Sequence, residues 1–189
     1  MNKTIYLIRH GESEVNKSKN HIKDNKKSKK MFKKSYIKSV GKFITSSMDS
    51  DLTLEGQGQA IKQGAYLKSL DFLETEGVEL ILHSPLKRAK DTCYFMFEEW
   101  TNVPFKEEPL LMEKNFSEYF YSDIKKRGKQ LKDHIMSMKE NSIVLVAHSR
   151  IFQAMIGQKV KIPNCSVWKI NLSRDGEFSD LTKLYESVV

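Results

Sequence analysis

The 189-residue chain is long enough for one domain with a sizeable core, and 39% hydrophobic with 10% aromatic residues fit a soluble globular protein. Its net charge of +8 is local: Lys17 to Lys42 holds eleven lysines against one acid, Asp24, an excess of +10 that leaves the remainder at −2. Two cysteines, Cys93 and Cys165, are too few for a disulfide scaffold and stand in no metal-ligand spacing. A reducing compartment is expected, and the sequence suggests no metal and no cofactor. No apolar run reaches the length of a transmembrane helix. The four residues Ile5–Ile8 after Lys3 are too few for a signal-peptide core, so the expected location is cytoplasmic.

The first element predicted is a strand over Thr4–Ile8, apolar and β-branched as in strands buried on both faces, which ends in Arg9-His10-Gly11-Glu12. Open α/β sheets place ligands at such carboxyl ends. Arg9 could hold an anion there, His10 could present a ring nitrogen, and Gly11 would let the backbone come close. Alone, Arg-His-Gly is also what a solvated turn looks like. The lysine-rich stretch follows, an insert at about 17–50, with Phe32, Tyr36 and Val40 at helical spacing. It reads either as a solvated excursion or as a flap that brings positive charge to the site.

Thr53 is the predicted N-cap of the next helix, whose small face (Ala60, Gly64, then Leu67) suits close packing on a sheet. A second buried strand, Glu79–His83, leads to Ser84-Pro85, with Pro85 expected in the first turn of a helix that buries Cys93, Met96, Phe97 and Trp100. Val103–Leu110 reads as an edge strand because of Pro104, and Leu111–Phe116 as a loop. Ile124, Gly128, Leu131, Ile135 and Met138 mark an amphipathic helix, and Ser142–Ala147 a third buried strand that ends in His148-Ser149-Arg150. A short helix (Ile151, Ala154, Met155) follows, and Asp175-Gly176 signals a closing hairpin. This alternation predicts a three-layer α/β/α sandwich, with a mainly parallel central sheet and one antiparallel strand, as a single domain over 1–189.

Two strands thus end in histidine. In a parallel sheet their carboxyl ends share one rim, so His10 and His148 can meet there. Arg9 lies beside the first, and Arg88 falls in the opening turns of the helix after Ser84, where the dipole also favours an anion. Two arginines, two imidazoles and a helix terminus imply a phosphate-sized anion.

The segments Leu7–Glu12, Asp51-Leu52-Thr53 with Gly56 and Gln59-Ala60, Ser84–Ala89 with Thr92, Glu113, and Val146-Ala147-His148 resemble the histidine phosphatase superfamily, which includes phosphoglycerate mutases. They follow the family's order from Thr4 to about Ser166; the lysine-rich insert and the tail after the hairpin are unmatched. The resemblance implies a phosphoglycerate mutase-like fold and a phosphohistidine mechanism that needs no metal. It makes His10 the nucleophile, has Arg9, Arg88 and His148 bind the phosphoryl oxygens with Asn16 assisting, and makes Glu113 the proton donor and later acceptor. Ser149 replaces the glycine usual after this histidine; Ser149 and Arg150 are candidate substrate contacts.

The chemistry fits those roles. Imidazole attacks phosphorus only when unprotonated, and adjacent arginines disfavour its cation. The same arginines offset charge on the transferring phosphoryl group. Glu113 must begin protonated, and Glu12, Glu107, Glu108 and Glu118 are its rivals. His21, His83 and His134 read as structural or exposed. A phosphomonoesterase acting on a phosphorylated small molecule or phosphoprotein is favoured, because only about ten residues separate Glu113 from the Ile124 helix, little room for a second lid. The alternatives are a phosphoglycerate mutase-type phosphotransferase or a phospho-ligand-binding module. The lysines point to a polyanionic substrate; they argue against nucleic acid, since arginine and stacking aromatics are scarce among them.

Overall fold

A computed structural model describes residues 2–17, 49–99, 102–113 and 121–187. In chain order the elements are β1 (Lys3–Arg9), α1 (Leu54–Ser69), α2 (Phe72–Thr75), β2 (Leu80–His83), α3 (Lys87–Phe97), β3 (Phe105–Glu107), a 3-10 turn (Pro109–Leu111), α4 (Tyr121–Ser137), β4 (Ser142–Ala147), α5 (Ser149–Ile156), β5 (Val167–Leu172) and β6 (Thr182–Tyr185). The described strands form one six-stranded sheet in the order β3-β2-β4-β1-β5-β6. β5 is antiparallel to both β1 and β6, while the β1–β4, β2–β4 and β2–β3 pairs are parallel. The mainly parallel sheet with one opposed strand is therefore as expected.

Alternation along the strands feeds two cores. Ile5, Leu7, Leu82, Ile143 and Leu145 pack with Leu131, Ile135, Ile151 and Phe152 of α4 and α5. Tyr6, Ile8, Ile81, Val144 and Val146 pack with Ala60, Leu67, Cys93, Met96 and Phe97 of α1 and α3. Strands covered on both sides carry no polar face, so they read as continuous apolar runs.

Thr53 caps α1, its Oγ1 accepting from Gly56 N at 3.0 Å. On the small face of α1, Ala60 and Leu67 join the sheet residues in the core as expected, but Gly64 meets a helix instead. A Cβ on Gly64 would strike the Met96 backbone of α3, and a Cβ on Gly56 would strike Glu12 just after β1. Close helix–helix and helix–loop approach explains these glycines. Pro85 lies before α3 rather than in its first turn, with Leu86 at the N-cap, and the buried face of α5 is Ile151, Phe152 and Met155, with Ala154 only half-buried. Trp100, the whole 114–120 connection with Glu118, and nearly all the lysine-rich stretch, with His21, Phe32, Tyr36 and Val40, lie outside the described residues.

Lys3 is 6% exposed, and its ammonium donates to the carbonyls of Met138 (2.7 Å) and Glu140 (2.8 Å), closing the end of α4. Lys3→Met keeps the aliphatic stem but strands both acceptors. It should cost about 1–3 kcal/mol, read as a lowered urea midpoint with unchanged kinetic constants. An unchanged midpoint would refute this role for the cation.

Candidate active site

β1 and β4 are parallel neighbours with Arg9 opposite Ala147, so the residue after each strand is a histidine. His10 N donates to Ala147 O at 3.0 Å, and the His10 and His148 rings lie 4.9 Å apart, tilted by 58°. Both are buried, at 2% and 0% exposure. The first turn of α3 brings Arg88 to the same rim, 3% exposed, with Nη2 donating to Glu113 Oε2 at 2.8 Å. That carboxylate oxygen is 4.0 Å from His148 Nδ1. Among the described residues, Arg88 Nη1 and His148 Nδ1 are buried and have no hydrogen-bond partner. Buried donors of this kind are what an oxyanion needs.

The backbone around His10 is tied on every side. Cys165 N donates to Arg9 O (2.8 Å), Asn164 Nδ2 to His10 O (2.6 Å), and Gly11 N to Thr92 Oγ1 (3.0 Å). His10 Nδ1 lies 2.7 Å from Gly11 O, a carbonyl that can only accept, so the ring donates from Nδ1 and leaves the Nε2 lone pair available. Arg9 Nη1 donates to Ile162 O at 3.1 Å. The loop before β5 therefore grips both members of the Arg9–His10 pair. Cys165 adopts φ +55° within it, and burial pushes its thiol up to about 12.

The three expected substrate contacts are placed as follows in the described residues. Ser149 Oγ donates to Ile162 O (3.2 Å), the carbonyl that Arg9 also uses, so it braces the loop. Asn16 Oδ1 accepts from Ser13 N (3.3 Å) and Ser13 Oγ (3.1 Å), leaving its NH2 end without a partner among the described residues. Arg150 is exposed at the start of α5. Of Glu113's rivals, Glu12 accepts from the Thr53 hydroxyl at 3.0 Å, Glu108 accepts from Leu110 N at 2.9 Å and faces His134 at 3.0 Å, and Glu107 is exposed on β3. Among the described candidates, Glu113 is the one beside Arg88 and His148.

Sequence reasoning missed Asn164, Ile162 and Arg127. Arg127 is 5% exposed on α4, and its charge acts on His148. Its signal was a cation on the apolar stripe, three residues after Ile124 and four before Leu131. A cleft of about 660 Å³ lies elsewhere, at the amino ends of β2 and β3, and is lined by Asp71, Glu74 and Glu79 among others. Those carboxylates repel anions, so the histidine rim is the phosphate candidate.

Burial, first of all, pulls both imidazoles well below the usual histidine range; for His10 the neighbouring His148, Arg88 and Arg9 add to it, and for His148 Arg88, Arg9 and Arg127 do. Both rings are thus neutral when folded, whereas the unfolded chain binds protons there below about pH 6.5. Stability should fall as pH drops through that value, by up to about 1.4 kcal/mol per unit for each ring. Urea midpoints between pH 7.5 and 5.5 test this, and His148→Gln should remove one ring's share. A slope unaltered in that variant would contradict it.

The sequence model of the histidine phosphatase superfamily (branch 1) matches residues 38–120. No curated protein matches the chain in sequence. Among solved structures, the chain is similar to phosphoglycerate mutase from Bacillus anthracis str. Sterne (TM-score 0.65, 18% identity, 99% of this chain and 92% of that one). It is similar also to the alpha-ribazole phosphatase from Shigella flexneri (TM-score 0.64, 14% identity, 98% and 96%). A third is the mycobacterial glucosyl-3-phosphoglycerate phosphatase (TM-score 0.63, 16% identity, 98% and 100%). At these identities the likeness carries the fold. The chain has the phosphoglycerate mutase-like fold, and its segment 38–120, which holds the Asp51–Ala60, Ser84–Thr92 and Glu113 landmarks, resembles the histidine phosphatase superfamily (branch 1).

Proposed function

We propose that this chain is a metal-independent phosphomonoesterase working through a phosphohistidine on His10. The observation that supports it most is the meeting of His10 and His148 at 4.9 Å beside Arg88 and Glu113. In the first step the His10 Nε2 lone pair attacks phosphorus, the bond from phosphorus to the ester oxygen breaks, and Glu113 gives that oxygen a proton. In the second, water attacks the phosphoryl group, Glu113 takes its proton, and the N–P bond breaks to release phosphate. Arg9, Arg88 and His148 hold the phosphoryl oxygens throughout, where fixed donors help most. Asn16, Ser149 and Arg150 complete the substrate contacts in this reading.

The substrate class is a phosphorylated small molecule or phosphoprotein, and the lysine-rich insert in a single 1–189 domain favours one with several negative charges. Among the described residues no helix is long and apolar enough to cross a membrane, and we place the enzyme in the cytoplasm. A panel of phosphorylated metabolites and phosphopeptides, assayed for phosphate release in the presence of chelator, tests the assignment. Release from at least one member is expected; binding without turnover across the panel would refute it. Similarity to a phosphoglycerate mutase keeps phosphotransfer as the second reading. Isomerisation of a phosphoglycerate primed by its bisphosphate would favour that one.

A further inference from the structure

Ser84 follows β2 at the rim, is fully buried, and has its Oγ 3.1 Å from His148 Nε2. Leu86 N donates into the same oxygen at 3.3 Å. The remaining polar groups of Ser84 are also engaged: its N–H donates to Val146 O (3.0 Å), and its carbonyl accepts from His83 Nδ1 (3.0 Å). One hydrogen is left to place, that of the hydroxyl.

A neutral imidazole carries its proton on one of two nitrogens, and hydrogen-bond satisfaction decides which. With the proton on Nε2, the serine oxygen would accept twice and its own hydrogen would have no acceptor among the described residues. The Nδ1 lone pair would also face the Glu113 carboxylate 4.0 Å away. With the proton on Nδ1, the serine hydroxyl donates to Nε2, the Leu86 amide donates to the serine, and the Nδ1–H points at the carboxylate side of the site. The first arrangement leaves two groups unmet, the serine hydrogen and the Nδ1 lone pair; the second leaves only the Nδ1–H, which faces the site.

We propose that Ser84 is a positioning residue that fixes His148 as the Nδ1–H tautomer, so that an uncharged imidazole offers one N–H to an oxyanion between it and Arg88. Its catalytic meaning rests on the phosphatase reading, because that N–H would bind a phosphoryl oxygen. The tautomer itself is a property of the resting protein.

The test is long-range ¹H–¹⁵N NMR of the histidine side chains in the full chain at neutral pH, with the His148 signals assigned by their loss in His148→Gln. Protonated Nδ1 and unprotonated Nε2 are expected in the wild type and in Ser84→Thr, which keeps the hydroxyl. Ser84→Ala should show mixed tautomers. In parallel, Ser84→Ala should lower kcat on an aryl phosphate about tenfold or more with KM nearly unchanged, as losing an orienting partner does, and Ser84→Thr should restore most of the rate. Protonated Nε2 in the wild type would overturn the proposal, as would a Ser84→Ala protein with unaltered tautomer. Should Ser84→Ala fail to fold, the wild-type and Ser84→Thr spectra decide alone. A protein with the expected tautomer but no turnover would sustain this inference while the phosphatase reading fell.

Discussion

Substituting His10 with alanine should lower turnover of an aryl phosphate by at least about 10³-fold, as removal of a nucleophile does in covalent catalysis. The ring is neutral when folded, its Nδ1–H is committed to Gly11 O, and its Nε2 is therefore the atom that can attack. Binding should suffer far less, because the proposed phosphoryl ligands Arg9, Arg88 and His148 remain. Orthophosphate titration and single-turnover kinetics on the same variant separate the two effects. A variant that releases phosphate at the wild-type rate would end the assignment of His10.

Gly56→Ala should be nearly as damaging by a different route. The added methyl would collide with the Glu12 backbone, and a Cβ on Gly11 would likewise meet the Gly56 carbonyl. The first turn of α1 therefore lies directly on the loop that follows His10. This contact is reinforced by Thr53 N→Glu12 O (3.0 Å) and Glu12 N→Gln59 Oε1 (3.0 Å). Because both colliding groups are backbone, either the helix or the histidine loop must move. Overpacking of this kind costs about 1–3 kcal/mol, and a displacement of the nucleophile by about 1 Å can cost on the order of 10² in rate. Gly58, two residues on, has nothing within 4 Å of an added Cβ. Gly58→Ala should be neutral or stabilising by about 0.5–1 kcal/mol. Urea unfolding and kcat/KM on the pair test the contact, and equal behaviour would refute it.

What could be read ahead of the structure was what local chemistry determines. Thr4–Ile8 and Ser142–Ala147 announce themselves because strands covered on both faces are apolar throughout. Thr53 is recognisable because a helix start needs a side-chain acceptor. From two strands ending in histidine, the sharing of a rim follows by topology. The braces on the candidate site were hidden for the converse reason. Asn164 reaches a backbone carbonyl 154 residues away, and Ile162 contributes only its carbonyl, so neither leaves a pattern in side-chain type. Gly64 was visible as a small residue, yet nothing local told a helix partner from a sheet partner. Arg127 was masked by the apolar residues on either side of it along the stripe of α4.

In the proposed reaction the phosphoryl group passes through the Nε2 atom of His10. Rapid quench of the wild-type enzyme with ³²P-labelled substrate at neutral pH, followed by peptide mapping and ³¹P NMR of the alkali-stable phosphopeptide, reads this directly. Acid-labile label on His10, attached at Nε2, should form and disappear at rates that match turnover. Label on any other residue, or phosphate release with no labelled protein at any quench time, would contradict it.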